Sequence, residues 1–563
     1  MPRSSVRDAA IRHAHPRAFE PVTLSLVIVL SVLGSVTGLV LITTVGVAAN
    51  TAVIGAVVAM ALGRTKMAGL SRLRDPQRQN LVQSAVSGST FGAANSLLMP
   101  LAVPVALGRP ELVWTLLGGA VVGLAVDSWV LYRTFDSALL PADAPWPTGI
   151  AAAETIEAGD QGGRKARILA LSALVGAAGA ALRLPLGSAG LAFLGNVWAL
   201  GMFAVGLLIA QYVPALWDVD LAARHVPHGI MIGAGCVALA QAVRLLLRSG
   251  EGTAVPDSTA VTGPPGDCEA RPVDEDRFDP RRRTVDGARL RRGLVEGGVL
   301  LILGASALAL FGGLSADLGG VALVGWVLFA GVSALAHQLI VGLTAMHSGW
   351  FPAFALTVVF MMAGLLVGMP TVPLALLTGY IAATGPAFAD MGFDLKSGWL
   401  LRRGVTPWQP YELAGRRQQY LAQLVGFGVA VVVVAVTWQG FLSESDVPPI
   451  ARVYADTITA GLDGGAAVRE MALWAVPGAL LQLLGGSSRQ MGILFGLGLL
   501  VGMPNAGWFI LAALGVRVAW TRRGRRAGGG AVRAARQDEP AVVGAGLVAG
   551  SSLHDIARMQ QSF

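Results

Sequence analysis

The sequence predicts an all-α polytopic membrane protein, a helical bundle of about 14–16 transmembrane segments, some of them broken or re-entrant. Three observations predict it. First, only 13% of the 563 residues are charged while 54% are hydrophobic, and mean hydropathy is +0.62. A soluble domain carries roughly 25% charged residues, so half that leaves too little charge to cover a water-facing surface. Second, apolar runs of about 18 residues or more recur along the whole chain, as membrane helices require. Third, these runs are apolar all round, whereas a membrane barrel would alternate polar and apolar residues in pieces of roughly ten. Helices satisfy their own backbone groups in lipid. The 73 glycines fit the same bundle, because small residues let membrane helices approach closely.

The segments follow in order. Residues 1–20 form a cytoplasmic N-terminal segment with Arg3, Arg7, Arg12 and Arg17. It runs straight into apolar sequence without a signal-peptide cleavage pattern, so the first helix is expected to be retained. Val22 to Gly63 fits two spans, and a basic loop with Arg64, Lys66, Arg72, Arg74 and Arg78 follows. Spans over 81–108, 112–132, 168–186, 190–213 and 228–247 complete an N-terminal transmembrane half, 21–247. Within it, 133–167 is mixed and carries Pro145, Trp146, Pro147 and Gly149. Residues 248–292 are rich in Pro, Gly, Asp and Arg and read as a disordered hydrophilic loop. The C-terminal half, 293–520, offers spans near 293–313, 319–344, 350–368, 370–389, 420–441, 471–485 and 490–520. A basic tail, 521–563, ends with a weakly apolar piece.

The net charge of +8 sits in Arg-rich loops beside apolar spans, which is the positive-inside pattern. No basic stripe with interleaved aromatics points to nucleic acid. The lipid bilayer is the expected partner, and the inner (plasma) membrane the expected location. The basic loops at 64–78, 281–292, 396–417 and 522–536 should share the cytoplasmic side. Two of the intervals between them then hold an odd number of spans and need a further crossing or a returning segment. The Pro/Gly-broken stretches 145–159 and 485–505 are the candidates, and broken helices at membrane depth are where transporters build substrate sites.

Cys236 and Cys268 form no CxxC or Cys/His pattern, which argues against a metal site. Charged residues within spans are costly, roughly 2.5–3.5 kcal/mol on insertion scales, and are functional candidates by default. His337 sits inside the apolar run 321–343 and suits a proton relay or a metal-chelate contact, or else packing. Glu154 and Glu157 are three residues apart and share one helical face. They read as a proton- or cation-sharing pair or as the polar side of an interfacial helix. Asp127 reads as a proton carrier or a helix-packing carboxylate near the interface, the latter favoured because Arg133 follows closely. Asp390 and Asp394 lie on one face after Gly385 and Pro386, which break the helix. Lys396 is placed to neutralise one of them in a buried ion pair.

The run A-D-M-G-F-D-L-K-S-G, Ala389 to Gly398, resembles the D-L-K-[ST]-G signature of the oligopeptide transporter family, which includes the yellow-stripe-like metal-chelate transporters. R-R-Q-Q-Y-L-A-Q-L-V-G, Arg416 to Gly426, resembles the basic, Gln-containing segment that follows it. P-W-P-T-G-I-A-A-A-E, Pro145 to Glu154, is similar to the family's proline–aromatic–proline–x–glycine segment. N-L-V-Q-S-A, Asn80 to Ala85, is a further match, with Pro100 beyond it. The matches occur in the family's order and span most of the chain. Thr148 replaces the family's acidic residue before Gly149, and T-T-V-G-V replaces a Lys-containing turn, so the chain looks like a divergent bacterial member.

The resemblance implies proton-driven uptake of small oligopeptides or peptide-like metal chelates, with no cofactor beyond the proton gradient. It implies substrate or coupling roles for Asp390, Asp394, Lys396 and Gly398, for Pro147, Gly149 and Glu154, and for Asn80 and Gln83. Glu157 and His337 join them from the residue reading. The backbone at 145–159 and 385–398 is expected to be broken and to line a cavity. No G-x-x-x-x-G-K-[ST] motif occurs, so an ion or substrate gradient must supply the driving force. The alternatives are a membrane-embedded enzyme or a passive channel on the same fold. An enzyme would need a set such as H-E-x-x-H or G-x-S-x-G, and neither occurs.

Overall fold

A computed structural model describes residues 15–44, 70–161, 163–194, 196–221, 223–250, 278–279, 282–349, 353–442, 447–463, 465–500, 503–526 and 539–560. Among them there are helices and no strand. The expected second span, ending at Gly63, and most of the hydrophilic loop lie outside these residues.

Helix α1 (Pro21–Thr44) is followed by a 3-10 turn at Leu70–Arg74 and by α2 (Pro76–Phe91). α2 runs through a π-helical turn, Gly92–Leu98, into α3 (Met99–Ala106). Next come α4 (Val113–Thr134), α5 (Pro147–Gln161), α6 (Gly163–Ala181), α7 (Leu186–Leu194), α8 (Val197–Trp217) and α9 (Val226–Gly250). After the linker come α10 (Gly287–Phe311), α11 (Gly320–Ser348), α12 (Ala353–Leu366), α13 (Thr371–Ala383), α14 (Pro386–Arg402) and α15 (Trp408–Phe441). α16 (Pro449–Asp463), α17 (Gly465–Arg489), α18 (Met491–Leu500), α19 (Ala506–Arg526) and α20 (Glu539–Gln560) complete the chain.

The protein is a multi-pass membrane protein. Among the described residues, eight helical stretches are long and apolar enough to cross a bilayer, and four shorter helices are also apolar. Most crossing helices turn apolar side chains outward, such as Leu310, Val321 and Val436, as lipid-facing surfaces must. Two do not. Pro76–Ala106 and Thr371–Arg402 are each 94% buried over their most apolar window, and both are discontinuous.

The second break follows from three residues. Pro386 has no N–H and keeps its predecessor out of the α region. Gly385 takes φ +96°, which only glycine adopts readily, and Thr384 is extended. α14 therefore begins afresh at membrane depth. The first break is a π turn, a form that is rare and frequent at functional sites. The expected break at 145–159 is corrected. The chain turns at Trp146, with φ +40°, and from Pro147 onward α5 is regular, because proline suits the first turn of a helix. The 485–505 stretch is interrupted, with Gly486 at φ +68° and Asn505 at φ +62°.

The two halves interlock. α15 packs on α1 and α2, α10 on α4, α14 on α2 and α5, α17 on α9, and α18 on α8. The two buried discontinuous spans thus lie face to face in the interior.

Candidate functional site

α2 and α14 run antiparallel and are joined by three successive contacts. Asn80 Nδ2 donates to Ser397 Oγ (2.7 Å), Gln83 Nε2 donates to Asp394 Oδ1, and Ser87 Oγ donates to Asp390 Oδ1 (2.7 Å). α15 adds amides from the other side. Gln423 Nε2 donates to Asp394 Oδ2 (2.7 Å), and Gln419 Nε2 donates to the Asp394 carbonyl (2.8 Å) and Ser84 Oγ (3.1 Å). All these side chains are buried. Among the described residues, no basic side chain forms an ion pair with Asp390 or Asp394, and Asp390 Oδ2 has no hydrogen-bond partner. Two carboxylates are thus held in the interior by neutral donors alone.

Lys396 corrects an expectation. It does not neutralise either aspartate. Two residues from Asp394 is roughly 200° around the helix, so it points the other way. Its Nζ donates to the carbonyls of Ala142 (2.7 Å) and Ala144 (3.0 Å) and lies 4.7 Å from the Trp399 ring. Lys396 therefore fastens α14 to the segment between α4 and α5. Trp146, in that segment, donates its backbone N–H to Met346 O (2.8 Å).

Gly398 and Gly149 are close-approach positions. A Cβ on Gly149 would strike the Phe393 carbonyl, and one on Gly398 would strike Gln419 and Arg402. Pro147 begins α5 and packs against Gly349. Glu154 is buried on α5, while Glu157 is partly exposed and reaches Arg403 at 3.5 Å. Glu157 is thus turned toward the rim, away from the interior carboxylates. His337 is fully enclosed, bonded through Nε2 to Ala353 O (2.8 Å) and facing Thr357 and, through Nδ1, Thr384 Oγ1 (3.3 Å). It ties α11 and α12 to the α13–α14 break.

Two features go beyond the sequence reading: the place that Asp127 occupies, and the π turn. Asp127 on α4 accepts backbone N–H bonds from Gly385 (2.6 Å) and Phe388 (3.2 Å), so its carboxylate caps α14 from 258 positions away in sequence. The initial N–H groups of any helix lack intrahelical partners, and an anion there is stabilised by the helix dipole. Its packing role stands, but at the centre of the break rather than near the interface. The second is the π turn, where Asn95 Nδ2 and Ser96 Oγ are buried with no partner.

At one end of this assembly the basic loops converge into an ion network. Glu412 receives Arg402 Nε (2.6 Å) and Arg416 Nη2 (3.2 Å). Arg416 also reaches Phe135 O and Thr284 Oγ1, and Arg283 pairs with Asp143 (2.7 Å). Arg402 Nη1 donates to Gln419 Oε1 (2.9 Å), which links the network to the Asp394 backbone.

The N-terminal segment seats on the same end. His15 is buried between Gln77, the Tyr411 ring (5.3 Å) and Arg402, and Ala18 N donates to Gln418 (2.9 Å). Burial, and then the Arg402 guanidinium, push the His15 imidazole down to about 4, with Glu412 opposing weakly. The seated form is neutral, whereas a released His15 takes up a proton below about 6.5. Acidification from 6.5 to 4 should therefore remove on the order of 3 kcal/mol from docking of this segment. A spin label at Phe19→Cys should gain mobility across that window, and His15→Gln should flatten the response. Equal pH dependence in both would sink this reading.

Residues 21–238 match the family model described as OPT oligopeptide transporter protein. No curated protein matches the chain. The matched stretch contains α2, the π turn and Asp127 but ends before Asp390–Gly398.

Proposed function

We propose that this chain, which carries the OPT oligopeptide transporter domain over residues 21–238, is a secondary active transporter. It couples proton entry to uptake of small oligopeptides or peptide-like metal chelates across the inner membrane. The observation that carries this is the pair Asp390 and Asp394, fully buried on one helix face, held by Gln83, Gln423 and Ser87 and lacking any cationic partner among the described residues. Uncompensated carboxylate charge in a membrane interior costs several kcal/mol. Neutralisation has to come from a mobile cation, and the proton is the one that needs no ligand cage.

The breaks give the site its means of exchange. α14 starts anew at Pro386, so it is tied to the bundle by side-chain bonds rather than by a continuous backbone ladder. Small shifts of α14 against α2 and α15 would alternate the access of Asp390 and Asp394. In this reading Asn80, Gln83 and Gln423 orient the carboxylates, and Lys396 anchors the helix that bears them.

Uptake into proteoliposomes tests the reading, with labelled short peptides and an iron–chelate pool, with and without an inward proton gradient. Wild-type protein should show gradient-dependent uptake of one class. Asp394→Asn, nearly the same size, should fold and fall to the no-gradient level. Absence of uptake of both classes in every gradient, with folded protein, would overturn it.

A further inference from the structure

The three α2–α14 contacts advance evenly. Each step of three or four residues forward along α2, from Asn80 to Gln83 to Ser87, is matched by an equal step back along α14, from Ser397 to Asp394 to Asp390. Continued at the same register, Gly92 comes level with Gly385. The first residue of the π turn thus meets the break between α13 and α14. α4 closes the junction from the side. A Cβ on Gly123 would meet Thr384 and Ala383, Leu124 lies beside Gly92, and Asp127 bonds the Gly385 and Phe388 amides. The π turn, α4 and α14 are in mutual contact.

The three elements that meet here each carry a buried polar atom with no hydrogen-bond partner: Asp127 Oδ1 on α4, Asp390 Oδ2 on α14 and Asn95 Nδ2 in the π turn. Leaving such an atom unmet costs about 1–3 kcal/mol each, and more for a charged group. Two are carboxylate oxygens and call for donors carrying positive charge. The third is an amide donor and calls for an acceptor oxygen. A partner that carries both an ammonium group and a carbonyl oxygen supplies what all three lack.

We propose that the junction of the two breaks binds the free amino end of a short peptide, its ammonium between Asp127 and Asp390 and its first peptide carbonyl on Asn95. The inference rests on the peptide-transport reading and adds which end of the substrate is recognised and by what. Asp127 has two duties that its two oxygens divide. Oδ2 holds the start of α14, and Oδ1 meets the ligand. Ligand binding at Asp127 is therefore felt by the helix that carries Asp390 and Asp394.

The test uses the purified full chain in detergent, with alanyl-alanine and N-acetyl-alanyl-alanine as probes in calorimetric titrations. Acetylation removes the ammonium and keeps the carbonyl. Wild type should bind the acetylated peptide at least about tenfold more weakly, the range of a charge-assisted hydrogen bond. Asp127→Asn keeps an oxygen for the α14 cap and should shrink that ratio to less than about threefold. Asn95→Ala should weaken both peptides by a similar factor and preserve their ratio.

Equal binding of the two peptides to wild type would overturn the proposal, as would an unchanged ratio in Asp127→Asn. If Asp127→Asn does not fold, the wild-type ratio and Asn95→Ala decide. An Asn95→Ala protein that binds both peptides as wild type does removes the site from this junction. Gradient-driven uptake of both peptides at equal rates would leave the transport reading standing and this one refuted. If neither peptide binds while an iron chelate is taken up with the gradient, this inference is refuted and the transport reading stands.

Discussion

Replacing Glu412 with alanine should lower the apparent stability of the purified protein by about 3–5 kcal/mol, the loss expected when one partner of a buried ion pair is removed. Glu412 is fully buried, and so are Arg402 and Arg416, which share its two oxygens. Its removal strands Arg402 and leaves Arg416 only the more distant Asp136 carboxylate, at 3.9 Å. Arg402 keeps only Gln419, since its Nη2 already lacks a partner. Arg416 retains Phe135 O and Thr284 but no longer has its nearest countercharge. Glu412→Gln, which keeps shape and one acceptor, should lose less. The measurement is a melting curve followed by size-exclusion chromatography. A Glu412→Ala protein that melts as wild type does would mean that water reaches this network and screens it.

Gly149→Val should be nearly as severe for a different reason. At Gly149, α5 crosses α14 so closely that a Cβ would overlap the Phe393 carbonyl and the Lys396 stem. A backbone carbonyl cannot rotate away, so the helices must separate. Overpacking of a close-packed interior costs typically about 1–3 kcal/mol, and this site should lie at or above the top of that range. Separation would also pull Lys396 from the Ala142 and Ala144 carbonyls. Gly149→Val should therefore yield little monodisperse protein. Gly118→Val is the control, because nothing lies within 4 Å of a Cβ there. Similar yields from the two variants would refute the close-approach argument.

Much of the helical architecture was legible, and the reason is chemical. Lipid demands uniform apolarity over a fixed length, so spans announce themselves one at a time. The break at Thr384–Pro386 was also local, written in a Gly-Pro pair. Asp390 and Asp394 stood out as a polar cluster beside a span, after a helix-breaking Gly-Pro pair, whereas Asn80 and Gln83 were marked only by the family resemblance. What stayed hidden was pairing. Lys396 two residues from Asp394 looked like its countercharge, but helical geometry sends it to the α4–α5 segment. Asp127 and Gly385 meet across 258 positions, and nothing local in either records the other. Gln419 and Gln423 carried a usable signal, since two amides four residues apart in a membrane helix mark one polar stripe. The π turn carried none, because G-A-A-N-S-L-L reads equally well as an α-helix.

The last helix also sets an order of events in biosynthesis. α20 packs against α5, α6 and α7, and the backbones nearly touch, Gly176 against Leu547, Gly550 against Ala173 and Gly190 against Gly544. These grooves are shaped for another helix, not for lipid tails. Translation at roughly 5–20 residues per second delivers α20 tens of seconds after α7 has left the ribosome. During that interval the early helices stand in the bilayer with an unfilled groove, within reach of quality-control proteases or of a groove on another nascent copy. A ribosome that stops before residue 539 would leave a chain with α2, α14 and α15 all present and that groove still open.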